Sequence, residues 1–290
     1  MTLPNQFKFS QSSLHDFSEC RRRFYYRYLR KLAWPAAESE PVMDNESHIQ
    51  QGILFHRLIH QHLLGIPEAN LSLLLSRGEP QENQDLMRWW QNYLSHPPLP
   101  ETEGLSLFPE ASLSVPLARH RLVAKFDLIA ALPDGSLMIY DWKTARRHPK
   151  RAWLKNHLQT RVYQYLLARS GSHFTPGQTV QPEQVQMTYW FTEFPDEPEH
   201  FTYNQRQFSL DGPELEETIE TIERLASSDD EALFPLTSNE DRCRFCVYRS
   251  LCDRGQHAGN TNLLAGMEDV GLDQDQDFDL DFEQIGEIEF

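Results

Sequence analysis

No stretch of this 290-residue chain strings together the ~18 apolar residues that a membrane-spanning helix needs. Its opening, MTLPNQFKFSQSSLHDF, lacks the basic-then-apolar order of a secretory leader. The expectation is a soluble, cytoplasmic protein with no membrane partner. No G-x-x-x-x-G-K-[ST] occurs, which excludes a P-loop motor within the chain, and no internal repeat is visible. Cysteine is scarce, with four in all. In a reducing compartment four cysteines read as thiolate ligands rather than as two disulfides. Basic residues are absent from Glu268–Phe290, which holds ten acids; taking these from the formal charge of −16 leaves −6 on the rest. The body is therefore only mildly acidic, and local basic clusters matter more than the total.

What is present suffices for a large core, since 39% of residues are hydrophobic. We read one domain over residues 1–265 and an acidic tail over 266–290. The tail alternates acids with isolated Phe and Ile and is expected to be disordered; a second reading has it mimicking DNA in a basic groove.

Phe9-Ser10-Gln11-Ser12-Ser13 predicts a helix start capped by Ser10, continued by Leu14, Phe17, Phe24 and Tyr28 and ended by Trp34-Pro35. After a polar connection, Pro41 to Ser47, helices are predicted from about His48 to Leu64 and Asn83 to Leu94. Pro97 to Pro109 is turn-rich. Strands follow over Ala111–Pro116, Leu122–Leu132 and Ser136–Trp142, then a helix over Trp153–Ser170. Strands over Gln184–Phe194 and His200–Phe208 and a helix over Pro213–Ala226 complete the order. This is a mixed α/β pattern with helical additions before and after it.

Residues two apart in a strand share a face, so Asp141 and Lys143 point together while Trp142 points to the buried side. An acid and a lysine at a strand end suit metal-assisted phosphodiester hydrolysis: the carboxylate holds Mg²⁺ or Mn²⁺, and the ammonium positions or helps deprotonate water and steadies developing charge. One carboxylate holds a hard cation poorly, and Asp127 on the preceding strand is the available second donor. A two-residue Asp134-Gly135 turn would put Asp127 opposite Trp142, on the wrong face. The reading therefore requires a three-residue loop or a bulge that brings Asp127 beside Asp141. Taken alone, such a trio equally describes a cross-strand salt bridge. Gly52 and His56 lie one helical turn apart, with His56 a candidate metal ligand; the glycine costs about 1 kcal/mol of helix stability, which close backbone approach would justify. Gln159 and Tyr163 share one face of the Trp153–Ser170 helix, as they would in any amphipathic helix.

The order G-x-x-x-H, Asp, D-x-K, Q-x-x-x-Y resembles the RecB-like branch of the PD-(D/E)XK nuclease superfamily. The lone Cys20 followed by Cys243, Cys246 and Cys252 resembles its iron–sulfur subgroup, which includes the CRISPR-associated RecB-like exonucleases and the AddB nuclease domain. The resemblance runs from about Gln11 to Arg254, departing at Ala124, where glycine is usual, and in a long insertion before Asp127. It implies a restriction-endonuclease-like core with a mixed central sheet, a helical N-terminal region and a C-terminal cysteine clasp. It further implies metal ligation by His56, Asp127 and Asp141, catalytic support from Lys143, and DNA or site positioning by Gln159 and Tyr163. Exonuclease action on DNA, at single-stranded ends, in repair, recombination or CRISPR adaptation, is the implied function. A separate helicase or a CRISPR adaptation protein would be the partner. The alternative is a non-catalytic nucleic-acid-binding scaffold that retains the fold.

On chemistry alone the four cysteines suit a structural Zn²⁺ or a 4Fe-4S cluster equally; the resemblance favours the cluster. Arg21, Arg22 and Arg23 beside Cys20, and Arg242, Arg244, Arg249 and Arg254 around the others, could offset its charge or bind phosphates.

Overall fold

Ser10 opens the first helix as its sequence predicts. In the computed structural model, which describes residues 3–4, 6–32, 40–76, 84–228 and 230–255, its hydroxyl accepts the Ser13 N–H at 3.2 Å. The Ser13 hydroxyl in turn accepts the Ser10 N–H at 2.9 Å. Strand β1 (Lys8–Phe9) precedes it, and helix α1 runs Gln11–Glu19. The single helix expected through Tyr28 is broken at Cys20, whose backbone is extended (φ −158°), and restarts as α2 (Arg21–Phe24) and a wider π turn, Tyr25–Leu29. The fully buried Asp16 explains the break. An unbroken helix would set Asp16 and Arg23 about 10 Å apart along its axis; the bend brings Arg23 Nε to 2.6 Å and Arg27 Nη1 to 3.3 Å from its carboxylate. Trp34-Pro35 and the acidic tail lie outside the described residues.

The remaining elements are α3 (Glu40–Leu63), α4 (Glu68–Leu75), α5 (Gln84–Ser95), β2 (Ser106–Pro109), β3 (Ser112–Leu117), β4 (His120–Lys125), β5 (Leu128–Ala131), β6 (Leu137–Lys143), α6 (Arg151–Asn156), α7 (Leu158–Ser170), β7 (Val185–Phe191), β8 (Phe194–Thr202) and α8 (Gln205–Ala226). This is the mixed α/β architecture expected. Several boundaries differ. Pro41–Ser47 is helical and extends α3, and α4 and β2 were not predicted. The strand read over Leu122–Leu132 is split at Phe126-Asp127, and the helix over Trp153–Ser170 at His157. The chain is already helical by Gln205 instead of remaining a strand to Phe208: Asn204 caps α8 by accepting the Gln207 N–H at 2.9 Å, and Pro213 is accommodated inside the helix.

Two compact units divide the chain, one from Met1–Ile49, Leu117–Arg121 and Glu216–Phe290, the other from Gln50–Pro116 and Leu122–Leu215. In the first, the N-terminal helices meet the C-terminal turns directly. Arg22 Nε donates to the Phe234 carbonyl at 2.7 Å, Tyr248 donates to the Leu32 carbonyl at 2.8 Å, and Tyr25 packs on Phe234 at 5.2 Å.

The second unit is built on a five-stranded sheet in the order β2-β5-β6-β7-β8. Its β6–β7 pair is parallel and the others antiparallel. A parallel pair needs a crossover, which α6 and α7 supply. Alternation along β6 sends Tyr140 and Trp142 into a core with Phe55, Ile59, Trp89, Trp90, Tyr93 and Trp190. It sends Ile139, Asp141 and Lys143 to the other face, where α7 packs.

Candidate active site

A three-residue turn sets the geometry. Leu132 N–H bonds the Ser136 carbonyl at 2.9 Å, enclosing Pro133-Asp134-Gly135, with Gly135 supplying the positive φ (+85°) the turn needs. The pairing is then Leu128↔Tyr140 through Ala131↔Leu137, so the next step out places Asp127 opposite Asp141. This is the shifted register the sequence reading required.

The split between β4 and β5 lets Asp127 turn its side chain toward β6. Its Oδ2 accepts the Trp142 N–H at 2.8 Å, and its Oδ1 stands 3.1 Å from His56 Nδ1. Burial alone would push Asp127 upward. The charge and hydrogen bond of His56, the Trp142 amide and the Lys143 ammonium outweigh it, holding the carboxyl below its usual range.

Asp141 is almost wholly buried, 3% exposed. Its Oδ1 accepts Gln159 Nε2 at 2.8 Å and its Oδ2 pairs with Lys143 Nζ at 2.9 Å; Lys143 also donates to Gln159 Oε1 at 2.9 Å. Asp141, Lys143 and Gln159 thus close a three-cornered network, with Gln159 contributing both its donor and its acceptor. Gly52, buried on α3 one turn before His56, passes close to the strand end: a Cβ there would lie 3.3 Å from Thr144 Oγ1.

Tyr163 sits one turn beyond Gln159. Its hydroxyl donates to the Lys125 carbonyl at 3.0 Å and its ring packs on Phe126 at 4.7 Å, so it braces the bend that carries Asp127. Burial, then the negative charge of Asp141, raises its pKa well above the ordinary tyrosine range.

Two residues escaped the sequence reading. Tyr189, opposite Asp141 on β7, lies under the Lys143 ammonium at 5.4 Å from its ring centroid. Its hydroxyl is 2.8 Å from Thr160 Oγ1 and 3.5 Å from Gln159 Oε1. Thr160 Oγ1 donates to the Leu154 carbonyl at 2.6 Å, so at Thr160 the Tyr189 hydroxyl is the donor. The parallel β6–β7 register was the missing signal, and strand assignment alone does not supply it.

Asp127, Asp141 and His56 are of the donor types that suit Mg²⁺ or Mn²⁺. Each carboxylate oxygen here turns to an internal partner. Among the described residues no group of three or more His, Cys, Asp or Glu side chains is drawn together around a cation position.

All four cysteines fall in the first unit and none is in a disulfide. Burial, and then the like charge of Cys246 and Cys20, pushes Cys252 up to about 11; burial and the same neighbours also raise Cys243. Thiols so placed oppose one another's ionisation, and a bound cation would reverse that balance.

A family model described as the PD-(D/E)XK nuclease superfamily matches residues 8–253. Among solved structures, the chain is similar at 11% identity to a candidate exonuclease from Eubacterium rectale, with 78% of this chain and 84% of that one covered at a TM-score of 0.45. It is similar to the protein SSO0001 at 11% identity, with 86% and 87% covered and a TM-score of 0.34. No protein of curated function matches the chain.

Proposed function

The chain belongs to the PD-(D/E)XK nuclease superfamily, and from that premise we propose that it is a Mg²⁺- or Mn²⁺-dependent deoxyribonuclease, an exonuclease that works from single-stranded DNA ends. The observation that carries the reading is the β5–β6 register, which sets Asp127 opposite Asp141 with Lys143 two residues on. Asp127, Asp141 and His56 are the residues that would hold the cation, once Asp141 exchanges Lys143 and Asp127 exchanges His56 for it. When bound, such a cation polarises a phosphoryl oxygen and lowers the pKa of a coordinated water.

The chain's own groups do the rest. Lys143, held by Gln159 and poised over Tyr189, presents an ammonium that orients the attacking water and balances charge growing on the phosphoryl oxygens. Gln159 fixes Asp141 and Lys143 relative to each other. Tyr163 fixes the bend at Asp127. The three-strand-facing aromatics, Tyr140, Trp142 and Trp190, keep water from the opposite face of β6.

In this reading the four cysteines hold a 4Fe-4S cluster that joins the two ends of the first unit, with a structural Zn²⁺ as the alternative. Its role is structural, and the cutting belongs to the carboxylates. The pathway, repair, recombination or CRISPR adaptation, and a helicase or adaptation partner remain parts of the proposal.

The test is one sample, purified anaerobically, analysed for iron and zinc and assayed on linear DNA with Mg²⁺ or Mn²⁺. Degradation by the wild type, abolished by Asp141→Ala and by Lys143→Ala with the fold retained, is the expected result. Equal activity in all three proteins would refute the assigned centre. DNA binding without any hydrolysis would favour the non-catalytic scaffold.

A further inference from the structure

The chain holds 43 acids, yet between Asp141 and Glu183 there is not one. That 41-residue run, 142–182, carries eight Lys and Arg residues: Lys143, Arg146, Arg147, Lys150, Arg151, Lys155, Arg161 and Arg169. It begins inside the catalytic network, at Lys143. Arg161 turns away to ion pairs with Asp211 and Glu214 and Arg151 pairs with Glu199, while the side chains of Arg146, Arg147, Lys150 and Lys155 reach the surface.

The segment between Lys143 and α6 is pinned at both ends. At its start, Thr144 lies against the Gly52 backbone. At its end, the His148 ring reaches the Glu197 carbonyl through Nε2 at 2.9 Å and packs on Phe191 at 4.6 Å. Arg151 donates to the His200 carbonyl at 2.6 Å, pairs with Glu199, and lies 4.6 Å above the Phe201 ring. Arg146 and Arg147 therefore stand out from a loop whose two ends are fixed to the sheet.

We propose that Arg146 and Arg147, with Lys150 beyond them, form a ribbon that grips the phosphates of the substrate strand next to the scissile bond. The inference rests on the nuclease reading of the site and names how that site takes its polyanion. Arg147 is four residues from Lys143, so the chain between them spans at most about 14 Å. That reach covers the phosphates flanking the one being cut. Guanidinium groups bind phosphate oxygens through paired donors, which positions a strand without reading its sequence. A body with net negative charge repels nucleic acid elsewhere; an acid-free ribbon is where a strand can approach.

The experiment measures binding of a labelled single-stranded DNA oligonucleotide by fluorescence anisotropy, in chelator, across a range of NaCl concentrations. Each single-strand phosphate contact contributes about 0.7 to the slope of log K against log salt. The double variant Arg146→Ala/Arg147→Ala is expected to lose about 1.4 of that slope, with Kd rising on the order of tenfold at low salt. The Arg146→Lys/Arg147→Lys protein, which keeps both charges, should recover the slope. Arg169→Ala/Arg206→Ala, which removes the same charge from exposed positions outside the ribbon, should leave it unchanged. An unaltered slope in the Arg146/Arg147 alanine variant overturns the ribbon, as does an equal loss in the Arg169/Arg206 control. A wild type that neither cleaves linear DNA with Mn²⁺ nor binds it overturns the nuclease reading itself. One that cleaves, but whose slope is indifferent to Arg146 and Arg147, overturns only the ribbon.

Discussion

The Asp141–Lys143 pair makes the sharpest demand on the site. The two charges are 2.9 Å apart, with side chains only 5% and 16% exposed. At an effective dielectric of about 20 their attraction is on the order of 5–6 kcal/mol gross. Desolvation of both groups cancels much of that, so the pair is worth far more broken on one side than removed on both. Lys143→Met takes the ammonium from the buried Asp141 carboxylate, a loss of about 3 kcal/mol. Asp141→Asn takes the carboxylate from the Lys143 ammonium, at about 3 kcal/mol. The double variant removes both charges and should recover about 2 kcal/mol of the summed loss. Guanidinium unfolding in chelator, followed by tryptophan emission, reads this directly, because Trp89, Trp90, Trp142 and Trp190 share the core of the same unit. Losses that add to within about 0.5 kcal/mol would refute the coupling. The same cycle run with Mn²⁺ asks whether Lys143 occupies the cation's place. Lys143→Met should then be stabilised by Mn²⁺ more than the wild type is, through tighter binding to the native state, while hydrolysis is lost. Equal stabilisation of the two proteins means the lysine does not compete with the ion.

Three further outcomes follow from the same geometry. Gly52→Ala gains about 1 kcal/mol of helix propensity but sets a Cβ 3.3 Å from Thr144 Oγ1, beside Lys143; melting should hold or rise while turnover falls several-fold, and unchanged turnover would deny the close approach any catalytic role. Tyr189→Phe keeps the ring under Lys143 but removes the hydroxyl at Thr160 and Gln159, at about 1 kcal/mol; kcat should fall several-fold with KM little changed, and an unchanged kcat would reduce Tyr189 to packing. Burial pushes both Tyr93 and Tyr140 up to about 12. Their folded values lie above the unfolded one near 10, so their stabilisation is intact below pH 10 and is lost as pH rises toward 12, by about 2–3 kcal/mol each; tyrosinate absorbance should show both ionising only as the protein unfolds.

The helix starts and strand faces around the site were legible because each depends on local chemistry. Ser10 caps α1 through a bond to Ser13, and the β6 alternation separates Asp141 and Lys143 from Trp142, whatever lies elsewhere in the chain. The Asp127 register was legible one step further, since a loop one residue longer than the obvious turn, or a bulge, is needed for the two carboxylates to share a face. The misses have a common cause in tertiary contacts that the local sequence does not announce. Nothing local to Arg21-Arg22-Arg23-Phe24 says that Asp16 will be buried and will fold the helix back at Cys20. Nothing in Leu122–Leu132, apolar but for Lys125 and Asp127, says that the strand must break at Phe126-Asp127. The break is where Tyr163 braces the Lys125 carbonyl and the Trp142 amide takes the Asp127 carboxylate.

Charge was legible in a different way, and the total concealed it. A formal charge of −16 counts against a nucleic-acid enzyme, and setting aside the acidic stretch from Glu268 to Phe290 only reduces the objection. A phosphate at the active site responds to charges within about a Debye length, roughly 8–10 Å. Close to it stands Lys143, and Arg146 and Arg147 follow within four residues along the acid-free run that begins at Trp142. The acids that dominate the sum are excluded from the one segment that leads away from the catalytic lysine. A chain can therefore be acidic overall and still carry, in the one segment that leads away from Lys143, a run of basic residues uninterrupted by acids and suited to a nucleic-acid strand.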